Sequence, residues 1–114
     1  MQAKKLHDRF SVSEQIDPRD VAAIAAAGYR SIICNRPDRE GWGQPDFAEI
    51  EGAAQAAGLK AAYLPITPGA TSEEQVRRFA ELIATLPGPV LGYCRSGARA
   101  AGLWETAQSL RIVG

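Results

Sequence analysis

Cysteine and histidine are scarce in this chain: Cys34, Cys94 and His7 are the whole complement. So few residues, so far apart, form neither a disulfide framework nor a zinc pattern, both of which need clusters at short spacing. Each cysteine is expected as a free thiol, and neither a metal nor a cofactor is expected. Net charge is lacking too, because 13 Lys and Arg balance 13 Asp and Glu. Nucleic acid and anionic membranes as main partners need a dense basic field, so both are set aside. No apolar run is long enough to span a bilayer, and the opening "MQAKKLHDRF" lacks the hydrophobic stretch of a secretory signal. The expected address is the cytoplasm.

What is present suits one domain. A length of 114 residues supports a single core, and 1–114 is read as one unit. The pattern alternates between strands and helices. "RFSVS", from Arg9, has the alternation of a short strand, and Asp17 and Pro18 open a helix that Gly28 ends. "YRSIIC" follows as a buried strand, then the loop "NRPDREGWGQP", more elaborate than a strand-to-helix connection requires. A helix over 46–57 stops at Gly58, and "KAAYLPI" reads as a third strand. Thr71 with Glu74 forms a capping box for a helix whose apolar residues Val76, Phe79, Ile83 and Leu86 recur at three- and four-residue steps. Val90 to Tyr93 is the next strand and Gly97 to Leu110 the last helix. Strands alternating with helices imply a small α/β fold: a mostly parallel central sheet of four to five strands flanked by helices. Ligands in such folds sit beyond the carboxyl ends of the strands, where two polar loops fall, Cys94 to Arg99 and Asn35 to Asp38.

The stretch "GYCRSGAR" carries the chemistry. A thiol is nucleophilic as its thiolate, which a helix N-terminus and fixed positive charge stabilise, and both are offered to Cys94. The segment Arg95, Ser96, Gly97, Ala98 can curl into a nest of inward amides, with Gly97 free to take a left-handed conformation. Ser96 can donate to the thiolate. Arg99, at the helix start, can hold an anion by a bidentate contact. Inert packing is the usual fate of a cysteine at a strand end, and for Cys34, which has no glycine loop, it is the preferred reading. Around Cys94 the arginines and glycine favour catalysis or anion binding. Asn35 and Arg36 are candidates for contact with the same anion, against the plainer reading that Arg36 pairs at the surface with Asp38 or Glu40. Asp38 is a candidate acid, although turn chemistry after Pro37 explains it equally well. Trp42 is a candidate pocket wall or lid, against the preferred reading that it folds onto its own core, and His7 is expected to lie in an unordered segment.

These residues resemble known families. "YCRSGAR" resembles the active-site loop of rhodanese-type sulfurtransferases. "FSVSEQIDPRDVAAIAAAGYRSIICNRPDREG", "YLPITPG" and "GYCRSGARA" together resemble the phosphatase-like domain of the beta-lactamase-hydrolase-like (Blh) family, over about Phe10 to Leu110, with "VSEQI", "NRPD" and "CRSGAR" the most specific parts. The resemblance implies a fold like that of the dual-specificity phosphatases. It also implies a partner domain, since members often precede a metallo-beta-lactamase-type persulfide dioxygenase and are taken to act in sulfide detoxification.

Between the two activities the count from cysteine to arginine is used to decide. The tyrosine phosphatase signature places five residues there, whereas four, Arg95 to Ala98, separate Cys94 from Arg99, and the seventh loop position is Ala100. A shorter loop suggests a tighter cradle for one sulfane sulfur, and the loop "TPGATSEE" holds no aspartate to serve a phosphatase as general acid. The expectation is therefore a sulfurtransferase in which Cys94 carries a persulfide and Arg95, Arg99 and Arg36 bind the donor. The partners expected are thiosulfate or glutathione persulfide as donor and a thiol as acceptor. Two other readings stay open: a non-classical cysteine phosphatase, and a non-catalytic module that binds an anion or docks a partner.

Overall fold

A computed structural model of the protein describes all residues 1–114. Five strands form one sheet: β1 (Ala3–His7), β2 (Phe10–Ser13), β3 (Ser31–Cys34), β4 (Lys60–Tyr63) and β5 (Val90–Tyr93), in the order β1-β2-β5-β3-β4. β1 runs antiparallel to β2, and the other pairings are parallel. Four helices complete the fold: α1 (Val21–Ala26), α2 (Phe47–Ala56), α3 (Glu73–Thr85) and α4 (Ala98–Ser109). None is long and apolar enough to cross a membrane.

The period-two alternation of the strands explains why helices cover both sheet faces. Phe10, Val12, Ile33 and Val90 face one cluster with Phe79, Ile83 and Leu103 of α3 and α4. Ile32, Cys34, Leu91 and Tyr93 face the other, with Val21, Ile24, Ile50 and Ala54 of α1 and α2. Phe10 anchors the first cluster, stacking on Trp104 at 5.3 Å and meeting Phe79 edge-on at 5.2 Å.

Local rules set most boundaries. Asp17 caps a 3-10 turn, Pro18–Asp20, that leads into α1. Gly28 and Gly58 end α1 and α2 with φ of 101° and 79°. The α3 cap is one residue later than the sequence suggests: Ser72 Oγ accepts from the Gln75 amide, and Gln75 Oε1 accepts from the Ser72 amide. Ser72 and Gln75 satisfy the same reciprocal geometry as Thr71 and Glu74 would. A second difference is β1, which carries the expected unordered segment into the sheet. Its lysines suit an exposed edge, and His7 lies 5.2 Å from the Trp104 ring.

The register fixes where chemistry can occur. Ser13, Tyr93, Cys34 and Tyr63 are aligned partners at the carboxyl ends of the four parallel strands. β3 and β5 are neighbours, so the loops after Cys34 and after Tyr93 leave the sheet side by side.

Gly92 belongs to this arrangement. A Cβ there would sit 2.8 Å from Phe10 Cζ, inside contact distance of a ring already held by two others. Gly92→Ala is expected to destabilise the fold by about 1–3 kcal/mol, the range for overpacking a filled core. Urea unfolding checks this, and an unchanged midpoint would show that the Phe10 ring has room to move.

Candidate active site

Cys94 is the first residue beyond β5 and is buried. Its amide donates to the Ser13 carbonyl at 3.4 Å, and the Arg95 carbonyl accepts from the Gln15 amide at 3.2 Å, so the end of β2 fixes the start of the loop. The chain then turns at Gly97, with φ of 96°, into α4. A Cβ on Gly97 would meet the Ser13 backbone at 3.4 Å. Glycine is required here for conformation and tolerated for space. The turn brings the Gly97 amide to 3.0 Å from Cys94 Sγ as donor, the interaction a thiolate at a helix N-terminus uses. Ser96 has a different task from the expected one: its Oγ accepts from the Ala98 amide at 3.3 Å and does not donate to the sulfur. Ala98 opens α4 and contributes backbone only.

Arg99 lies in the first turn of α4 and crosses toward the other loops. Nη1 donates to the Ile66 carbonyl at 2.9 Å and to Glu40 Oε2 at 2.8 Å, while Nη2 donates to Glu40 Oε1 at 2.7 Å. Glu40 Oε1 also accepts from Arg36 Nε at 2.9 Å. Arg36 Nη1 in turn donates to Gln15 Oε1 at 3.2 Å. One carboxylate thus joins two guanidiniums, and Gln15 ties them to the end of β2. This is more than the surface pair expected for Arg36, whose side chain is only 9% exposed. The neighbouring arginines, Arg99 foremost, hold the Glu40 carboxyl down at about 2. Glu40 raises Arg99 in return.

Two expected site residues are occupied elsewhere. Asp38 Oδ1 accepts from the Phe47 amide at 2.8 Å, where a carboxylate steadies the N-terminus of α2, so turn and capping chemistry explains it. Asn35 is fully buried; Nδ2 donates to the Leu64 carbonyl at 2.9 Å, and its backbone bonds to Tyr93 and Ile66. It stitches three loops together from beneath the site. Cys34 is packing, as the sequence suggests: its Sγ donates to the Arg36 carbonyl at 3.2 Å, and burial pushes the thiol up. Trp42 departs from expectation. It lies on no core and is completely exposed.

Arg36, Arg95 and Arg99, with Glu40, Trp42 and Pro68, surround an open pocket of about 560 Å³. Three guanidiniums against one carboxylate leave it cationic, so it suits an anion of more than one negative charge. Gln15 and Glu40 are the structural residues the sequence reading missed. Gln15 stands inside the specific motif "VSEQI" and Glu40 two residues beyond "NRPD", but only the parallel register of β2, β5 and β3 brings those segments together.

The phosphatase-like domain of the Beta-lactamase hydrolase-like protein family matches residues 2–111. The chain belongs to that family. A Beta-lactamase hydrolase-like protein of Agrobacterium fabrum is 33% identical over 110 residues, spanning 96% of this chain and 26% of that protein. One from Xylella fastidiosa is 34% identical over 108 residues, 95% of this chain and 25% of that one. The chain therefore spans about a quarter of the length of these relatives. Among solved structures, a candidate phosphatase from Neisseria meningitidis superposes with a TM-score of 0.87 at 39% identity, covering 92% of this chain and 75% of that one. The core catalytic domain of the PP-IP phosphatase SIW14 from S. cerevisiae shares the fold, with a TM-score of 0.75 at 13% identity over 98% of this chain and 67% of that one.

These likenesses correct the sulfurtransferase expectation. The family is phosphatase-like, and these structural neighbours carry the name of phosphatase. With that expectation go its partners: thiosulfate or glutathione persulfide as donor and a thiol as acceptor. The count of residues fails as a criterion for a physical reason. Arg99 sits in the first turn of α4 and is aimed by Glu40 and the Ile66 carbonyl, so the reach of the guanidinium is set by its partners as much as by its distance along the chain.

The Glu40 clamp has a pH signature. A depressed carboxyl stabilises the folded state fully above its unfolded value near 4.5, and loses that contribution as pH falls toward about 2. Wild type is expected to lose stability across this window more steeply than Glu40→Gln, measured by urea unfolding at stepped pH. Parallel pH profiles for the two proteins would contradict the clamp.

Proposed function

We propose that the domain is a cysteine-dependent phosphatase acting on phosphomonoesters. The observation that carries the reading is the pairing of the Gly97 amide, 3.0 Å from Cys94 Sγ, with an Arg99 guanidinium held in place by Glu40 and Ile66. A nucleophile and an anion clamp on one short loop at the carboxyl ends of parallel strands suit attack on a bound anion.

In the first step the Cys94 thiolate attacks phosphorus. A sulfur–phosphorus bond forms as the ester phosphorus–oxygen bond breaks, and the leaving oxygen departs with the electron pair. Water then attacks the phosphocysteine, the sulfur–phosphorus bond breaks, and inorganic phosphate leaves as the thiolate is restored. Arg99, Arg36 and Arg95, which line the pocket, neutralise charge on the transferring group, and the Gly97 amide donates to the sulfur. Glu40 is a positioning residue: it orients the two guanidiniums through the fork geometry that arginine provides. Likeness to the Neisseria protein at 39% identity supports the same reading.

Steady-state hydrolysis of an aryl phosphate tests it. Cys94→Ser is expected to abolish turnover. Arg99→Ala is expected to lower kcat/KM by roughly 10²–10³, the cost of removing one fixed donor to developing charge. Arg99→Lys is expected to recover little of this, because an ammonium cannot reproduce the bidentate fork. Full turnover by Cys94→Ser would remove the cysteine from the mechanism.

A further inference from the structure

We propose that Trp42 determines specificity, forming with Pro68 the walls of a slot for a flat aromatic leaving group, so that the site takes aryl phosphomonoesters in preference to alkyl ones. The proposal rests on the phosphatase reading for its chemistry and on two independent features of the pocket for its selectivity.

The first is the indole itself. The chain has two tryptophans: Trp104 is buried in the core, and Trp42 is exposed over its whole surface. A large aromatic side chain gains most from burial, so one left in water on an ordered turn is unusual. The turn is well tied. The Gln44 amide donates to the Gly41 carbonyl at 3.4 Å, the Gly41 amide donates to Gln44 Oε1 at 3.1 Å, and Gln44 Nε2 donates to the Pro37 carbonyl at 2.9 Å. Gly43 supplies the left-handed residue, with φ of 71°. Gly41 is small because a Cβ there would collide with the Arg36 guanidinium. This tied turn directly follows Glu40 and so sets Trp42 among the residues that line the cationic pocket, with Pro68 as another. A pocket lined by both an indole and guanidiniums fits a ligand with a phosphate at one end and a ring at the other.

The second feature is the absence of a free carboxylic acid around the pocket. Glu40 is the single acid lining it, and its two arginines keep it ionised. Asp38 accepts from the Phe47 amide. On the loop that carries Pro68, the nearest acids are Glu73 and Glu74 in the first turn of α3, with Glu73 paired to Arg77 at 2.9 Å. With no donor in place, the leaving oxygen departs as an anion and takes its proton from water afterwards. A phenolate, whose parent phenol ionises near ~10, tolerates this. An alkoxide does not, because its parent alcohol is as weak an acid as water, near ~15.7. The indole wall and the missing acid select the same class of substrate.

Binding and turnover are measured separately, so that the two claims can fail separately. Phenyl phosphate and methyl phosphate are titrated calorimetrically into Cys94→Ser, with and without Trp42→Ala or Trp42→Phe, and where Trp42 is retained the emission of the exposed indole is followed against that of buried Trp104. Phenyl phosphate is expected to bind at least tenfold more tightly than methyl phosphate and to shift the exposed emission. Trp42→Ala is expected to weaken phenyl phosphate about tenfold and methyl phosphate less than twofold, with Trp42→Phe restoring most of the difference. Wild-type kcat/KM across substituted phenyl phosphates is expected to fall steeply as the leaving group becomes more basic, with methyl phosphate at the bottom. Equal binding of the two ligands, or Trp42→Ala without selective effect, would overturn the specificity role. Methyl phosphate turned over as fast as phenyl phosphate would overturn the missing acid. Selective binding with no turnover of any ester would preserve the slot and defeat the phosphatase reading.

Discussion

A single carboxylate organises this site. Glu40 accepts from both nitrogens of the Arg99 fork and from Arg36 Nε, joining the loop after β3 to the first turn of α4. Without it, two guanidiniums would face each other across a pocket that Arg95 also enters, and like charges so placed repel. With it, the positive charge is ordered before any ligand arrives. Much of the cost of fixing two long side chains then falls on folding, before any ligand arrives. The residue before the clamp shows what that order requires. Arg39 has φ of 60°, a left-handed conformation that costs a residue with a side chain about 1–2 kcal/mol, and strain of this kind persists where surroundings over-determine it. Here the surroundings are the bonds of Glu40 on one side and Asp38, held by the Phe47 amide, on the other.

The sheet supplies the frame for that clamp. Aligned ends of β2, β5, β3 and β4 deliver Gln15, Cys94, Asn35 with Arg36, and Ile66 to one edge, and each then bonds to a neighbour from a different loop. Asn35 is fully buried at the centre of this edge, where its side chain donates to the Leu64 carbonyl and its backbone bonds Tyr93 and Ile66, so that it acts as a staple between strand ends. The nucleophile itself needs little beyond the strand end and a left-handed glycine. Cys94 is placed by β5, and Gly97 brings an amide to its sulfur and starts the helix in the same turn.

Much of this was legible in residue order, and the limits are physical. The alternation of β2, the buried apolar runs of β3 and β5, the glycine stops at Gly28 and Gly58, and the cysteine loop opening a helix all follow from local rules. β1 was missed because "AKKLH" has the lysine-rich look of a solvated tail, and only pairing with β2 makes it a strand. The α3 cap slipped by one residue because Thr71 and Ser72 are both good caps with a partner three residues on. Glu40 was legible only as a neighbour of Arg36, since its second arginine is 59 residues away. The most instructive failure is the count from Cys94 to Arg99. Spacing along the chain measures reach only when the backbone is known, and a guanidinium on a helix turn with two outside partners is positioned by those partners. Trp42 misled for the opposite reason: burial is the default for an indole, and a tied glycine turn at a pocket rim defeats the default.

The measurement that tests the central claim most directly is the intact mass of the protein quenched in acid during turnover of an aryl phosphate, with the modified peptide then sequenced. A phosphoryl group on Cys94 in wild type, lost on further incubation with water and absent from Cys94→Ser, is the predicted result. A protein that gains no phosphoryl group while hydrolysing the ester, or one that carries it on a residue other than Cys94, would contradict the account.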